Sequence, residues 1–189
     1  MTTLLTRLRA RPIPSLIAIV ALVLAAGFGV IAVLTWLPDD APASTGNREE
    51  IVNTAGGYRL EVPGSWSTTQ DGRTTVVKSP EGNTVLTVGL GRTGPLPVAA
   101  TLFFQQVGSQ YDKTEVFAPE GKKIGDLPAL IYAGVGDNDK GVRIRFLAIT
   151  VENNPTNYGI TVFTEVGSDP QAVLPQVSGI VDSFRELPA

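Results

Sequence analysis

The chain contains no cysteine and no histidine. Losing histidine removes the commonest general base near neutral pH and the commonest metal ligand. With cysteine also missing, ordinary zinc sites and Ser-His-Asp triads cannot be built. No disulfide is possible, and neither is a lipid attached through a cysteine. A body of roughly 140 residues still buries enough surface to fold without covalent staples, so an oxidising compartment remains open to it. Charge is scarce as well: the formal net charge is −3, and basic residues are dispersed after Arg11. That dispersal leaves no basic patch for nucleic acid.

What the chain does have is one long apolar run. Ser15–Leu37, SLIAIVALVLAAGFGVIAVLTWL, holds no charged residue. At about 1.5 Å per residue it reaches roughly 35 Å, enough for a hydrocarbon core of about 30 Å. Lipid offers the backbone no partners, so such a run satisfies its own polar groups as a helix. Arg7, Arg9 and Arg11 precede it and Asp39 and Asp40 follow it. Arginines before a first span favour a cytoplasmic N-terminus, and Trp36 suits the outer interface. The expectation is a single-pass anchor in the cytoplasmic membrane with the rest of the chain outside. The competing reading is a signal peptide cleaved near Ala43, but the run is well beyond the usual 7–15 residues of a signal core. The chain therefore divides into a tail (1–14), a transmembrane helix (15–37), a Pro/Ser/Asp-rich tether (38–49) and one extracytoplasmic domain (50–189).

Within the domain, Tyr58, Leu60 and Val62 alternate with Arg59 and Glu61, the period of a half-buried strand that Pro63-Gly64 ends. Thr74–Lys78 and Thr84–Leu90 read as a hairpin across Ser79–Asn83. Leu96–Tyr111 reads as a helix. Pro97 suits its first turn, and Ala100, Phe103, Phe104, Val107 and Tyr111 form one face. Glu115–Val135 reads as one or two strands broken at Gly121 and Gly125-Asp126. Ala129–Val135, Val142–Val151 and Tyr158–Val166 follow as an antiparallel meander, with Arg143 and Arg145 opposite Ile144 and Phe146. Asp169–Leu187 closes the chain as a helix with the stripe Leu174, Val177, Val181 and Phe184, and Pro175 either kinks it or marks its start.

The chemical motifs carry little. Gly89-Leu90-Gly91-Arg92-Thr93-Gly94 matches G-x-G-x-x-G. Pro95 and Pro97 separate it from the helix, and the strands look hairpin-linked rather than parallel, so a flexible loop with an exposed Arg92 is expected instead of a nucleotide site. Asp137-Asn138-Asp139 resembles the opening of a calcium loop but has Ala148 where the distal glutamate belongs; a hairpin turn is expected. Lys122-Lys123 reads as a solvated turn. With no histidine to activate serine, an enzyme is not expected, and no cofactor is implied.

The order of elements, from Gly57-Tyr58-Arg59-Leu60-Glu61-Val62-Pro63-Gly64-Ser65-Trp66 to the terminal Val181-Asp182-Ser183-Phe184-Arg185, resembles the PsbP-like superfamily. Within it the likeness is to the actinobacterial exported branch of LpqN-like lipoproteins and fibronectin-attachment proteins, whose opening strand leads to Pro-x-x-Trp, here Pro63–Trp66. The resemblance implies an α+β fold, an α/β/α sandwich on an antiparallel sheet of about six strands. It also implies a non-enzymatic role through protein partners. This chain lacks the acylated cysteine of the lipoproteins and the Pro/Ala-rich tails of the fibronectin-attachment group, so no ligand and no site residue transfers.

The function expected is a membrane-anchored accessory or binding module. Its partners are the lipid bilayer through residues 15–37 and another membrane or cell-envelope protein, with no nucleic acid. The alternative is a carrier of a small apolar or lipid-like ligand, in a pocket between sheet and helices lined by Trp66, Phe103 and Phe104.

Overall fold

The structure, a computed structural model, describes residues 47–188. Eleven strands and two helices follow in order. They are β1 (Arg48–Asn53), β2 (Tyr58–Pro63), β3 (Ser67–Asp71), β4 (Thr74–Lys78), β5 (Thr84–Thr93), α1 (Leu96–Gly108), β6 (Asp112–Val116), β7 (Glu120–Ile124), β8 (Leu127–Asp137), β9 (Arg143–Val151), β10 (Thr156–Glu165), α2 (Pro170–Asp182) and β11 (Arg185–Glu186). The expected span Ser15–Leu37 lies outside the described residues. Among the described residues no helix is long and apolar enough to cross a membrane.

The main sheet is antiparallel and larger than the six strands expected. Its order is β3-β4-β5-β10-β9-β8-β6, with β7 also paired to β8, and a second sheet runs β1-β2-β11. The additional strands are short and solvent-exposed, such as Ser67–Asp71 with four of its five residues exposed, so no apolar period announces them. Two of them are created by splitting: Glu115–Val135 becomes β6, β7 and β8, with Gly121 inside β7 rather than between strands.

Both faces of the main sheet are covered. On one, Leu86, Val88, Leu147, Ile149, Ile160 and Val162 pack against Leu60 and Val62 of the small sheet and Val177, Ile180 and Val181 of α2. On the other, Phe146 and Ala148 meet Phe103, Phe104, Val107 and Tyr111 of the α1 segment. The layers are thus α1, main sheet, and a mixed layer of small sheet and α2, rather than helices alone on both sides. Double coverage also changes Arg145: its face alternates with Ile144 as expected, yet it is buried, because even that face carries a layer.

The helices differ from their sequence boundaries for local reasons. α1 ends at Gly108, and Tyr111 reaches the core from the turn beyond it, where its ring stacks on Phe146 at 5.1 Å. α2 begins at Pro170 and runs through Pro175. It stops at Asp182 because the chain leaves to pair Arg185 with Arg59 of β2, which keeps Phe184 buried outside the helix. The G-x-G-x-x-G stretch is strand through Thr93 rather than loop, and Gly94 lies just beyond it. Gly91 sits where a Cβ would lie 3.1 Å from the Asn157 carbonyl oxygen, and Asn157 Nδ2 donates to the Arg92 and Gly94 carbonyls at 2.8 and 2.9 Å. Gly91 admits the β10 backbone at an irregular register, not a phosphate.

Candidate functional site

The three residues proposed for an apolar pocket are divided between two cores. Trp66 belongs to the cluster with the small sheet and α2, and its Nε1 donates to Gln176 Oε1 at 2.7 Å. Phe103 and Phe104 lie on the other side of the main sheet. Phe103 rests over Gly159, and Phe104 stacks on Tyr132 at 4.9 Å. All three rings are occupied by packing, so the structure does not bring them together around a ligand.

A different concavity carries the functional groups. It is a groove of about 400 Å³ between the outer face of the small sheet and α2, lined chiefly by Arg48, Glu50, Arg59, Glu61, Gly179 and Asp182. The register of β1 on β2 sets Glu50 directly opposite Glu61. Like charges in that position repel. Diagonal arginines offset this: Arg59 donates to Glu50 at 3.0 Å, and Arg48 lies 3.9 Å from Glu61.

Arg48 is the unusual member. Its Nη1 donates to the Gly179 carbonyl at 3.1 Å, while Nε and Nη2 are sealed from solvent without a partner. Gly179 makes the room, since a Cβ there would collide with Nη2. A mid-helix glycine costs about 1 kcal/mol against alanine, and an unpartnered buried donor costs about 1–3 kcal/mol. Both penalties meet at one contact. Gly179→Ala is expected to expel the guanidinium, the tip of a flexible chain, into water. Stability should rise by about 0.5–1 kcal/mol through helix propensity and rehydration of the two N–H groups. Chemical denaturation checks it, and a loss above about 1 kcal/mol would mean that the Arg48–Gly179 contact outweighs both penalties.

At the far end of the groove, Lys122 Nζ lies 3.2 Å from Asp182 Oδ1 and Ser178 Oγ donates to Oδ2 at 2.9 Å. Lys122 is therefore an ion-pair residue on β7 rather than a solvated turn. The carboxylate stands between serine and lysine, and Ser178 is fully buried, so these residues do not form an activated nucleophile. Ser183 Oγ accepts from the Glu61 N–H at 2.8 Å and donates to the Ile180 carbonyl at 2.7 Å, tying α2 to β2.

The calcium-like segment is a turn, as its sequence suggests: Asn138 Oδ1 accepts from the backbone N–H groups of Lys140 and Val142 at 2.9 and 3.0 Å. Hydrogen bonds from Lys113 and Arg143 hold the Asp137 carboxyl below the usual carboxylate range. Burial pushes the Tyr111 phenol above its usual range. Among the described residues no group of three or more acidic, histidine or cysteine side chains is placed to hold a metal. Nothing in the sequence pointed to Arg48 and Gly179, because their relation spans 131 positions.

No protein-family model and no curated protein matches the sequence. Solved structures do match in shape. Cyanobacterial PsbP (CyanoP) from Synechocystis sp. PCC 6803 is 16% identical with a TM-score of 0.53, over 79% of this chain and 98% of its own. The Pseudomonas aeruginosa protein PA94 is 14% identical with a TM-score of 0.54, over 76% and 100%. A Bacteroides thetaiotaomicron protein is 9% identical with a TM-score of 0.52, over 77% of this chain, which spans only 50% of that protein. At these identities the likeness speaks to fold alone: antiparallel sheets with two helices, α+β, PsbP-like.

Proposed function

We propose that this protein is an extracytoplasmic accessory module, held to the cytoplasmic membrane by Ser15–Leu37 and acting through protein contacts. In this reading it is a relative of the exported LpqN-like branch that carries a helix where the lipoproteins carry an acylated cysteine. The observation that supports it most is the charge-free run followed by a folded body whose first strand begins at Arg48. Pro38–Asn47 is ten residues, a reach of at most about 33–36 Å, so the body stays near the bilayer surface. The groove beside β1, with its polar lining and the exposed Arg59–Glu50 pair, is the surface offered to a partner.

Topology tests the reading. A full chain with a C-terminal epitope, expressed in a bacterial host, should remain in membranes through an alkaline carbonate wash. It should lose the epitope to protease added outside spheroplasts. Recovery in the soluble fraction, or an epitope protected until the cells are lysed, overturns the anchor. For the contact role, a mild-detergent extract of the source cells should show the chain in a larger assembly on native gels; a bare monomer there overturns it.

A further inference from the structure

Strand edges are where sheet proteins invite or refuse partners, since an edge presents unpaired N–H and C=O groups. Among the described residues most edges are guarded. At one end of the main sheet, β6 and β7 carry Asp112, Lys113, Glu115, Glu120, Lys122 and Lys123, and β6 is broken by a register shift. In the small sheet, β11 is two residues long, and β1 begins Arg48-Glu49-Glu50. The opposite end of the main sheet is β3, Ser67-Thr68-Thr69-Gln70-Asp71, with one charge at its terminus and no proline or bulge. Its threonines favour extended backbone.

The hairpin fixes which β3 groups face outward. Asp71 and Thr74 flank the two-residue turn Gly72-Arg73, with Gly72 at φ 55°. A flanking pair of such a turn exchanges both backbone bonds, and pairs alternate from there. Thr68 and Gln70 therefore turn their N–H and C=O away from β4. Gln70 Nε2 also donates to the Val52 carbonyl at 3.1 Å, which places Val52, 43% exposed, beside the same edge.

We propose that β3 pairs antiparallel with β3 of a second copy, about a twofold axis through Thr69. The strand complements itself in that register. Thr68 meets Gln70 of the partner in hydrogen-bonded pairs, twice by symmetry. Thr69 meets its own counterpart in a non-hydrogen-bonded pair, with Cα atoms about 4.5 Å apart. Ser67 faces Asp71, a hydroxyl against a carboxylate, so no like charges oppose one another. Five residues bury too little for a stable dimer in dilute solution. Confinement by the proposed anchor raises the effective concentration, and the pairing rests on that reading.

A chain without cysteine makes the test clean. Thr69→Cys in the full chain, reconstituted in vesicles of phosphatidylethanolamine and phosphatidylglycerol, places two thiols within the separation a disulfide spans. Mild oxidation should give a covalent dimer at least about tenfold faster than Lys123→Cys on the guarded edge. Adding Thr68→Pro, which removes an outward N–H that β4 does not use, should return the rate to that control. Membrane-bound chain with equal rates for both cysteine variants overturns the pairing and leaves the anchor standing. Chain recovered free of vesicles overturns the anchor, and with it the concentrating effect the pairing requires. In native membranes, an adduct of Thr69→Cys with a different protein in place of the dimer also overturns it.

Discussion

Phe184→Ala is expected to lower stability by about 3–5 kcal/mol. The residue lies just past α2, is 1% exposed, and its ring meets Tyr58 at 5.7 Å and Tyr158 at 5.0 Å. It touches one ring from the small sheet and one from the main sheet. A cavity there cannot be closed by moving one element, because α2, β2 and β10 are each held by other bonds. The Tyr58 hydroxyl donates to Val88 O at 2.9 Å, and the Tyr158 hydroxyl to Gly57 O at 2.9 Å. Urea unfolding of the full chain in detergent micelles, read by Trp66 fluorescence on a Trp36→Phe background, measures it. A loss below about 1 kcal/mol would show that the small sheet is not locked through this ring.

Gly134→Ala should cost about 1–3 kcal/mol by overpacking the opposite face. A Cβ on Gly134 would lie 2.5 Å from Phe146 Cζ and 3.0 Å from the Glu115 carbonyl oxygen. One neighbour is β6 backbone. The other is a ring clamped between Phe104 at 6.0 Å and Tyr111 at 5.1 Å. Neither yields as the Arg48 tip yields at Gly179, which is why two glycine-to-alanine changes carry opposite expected signs. Near-ultraviolet circular dichroism should lose intensity as the aromatic stack shifts. Gly121→Ala is the control: its nearest side-chain atom would be 4.0 Å away, so its effect should stay within about 0.5 kcal/mol.

How far the fold was legible depended on burial. Tyr58, Leu60 and Val62 announced β2 because one face of that strand is buried and the other wet, the condition under which period two survives in a sequence. The helix α1 announced itself through Phe103, Phe104 and Val107 for the same reason, at its own period. β3 and β6 did not, since neither buries a face; they exist because neighbouring strands offer unpaired backbone groups that only a strand satisfies. Arg145 misled in the other direction: its charge suggested a wet face, while a second layer covers it.

By itself the sequence determined the elements with a periodic burial pattern, the exclusion of histidine- and cysteine-dependent chemistry, and the apolar run that sets the expected compartment. These are properties of residue type and local spacing, which need no partner to be expressed. Only the tertiary structure decided that Trp66 and Phe103 lie on opposite faces of one sheet, that Arg48 rests on Gly179, and that β3 is the unguarded edge among the described residues. Each of those is a relation between distant segments, and side-chain period carries no information about which strand or helix will lie alongside.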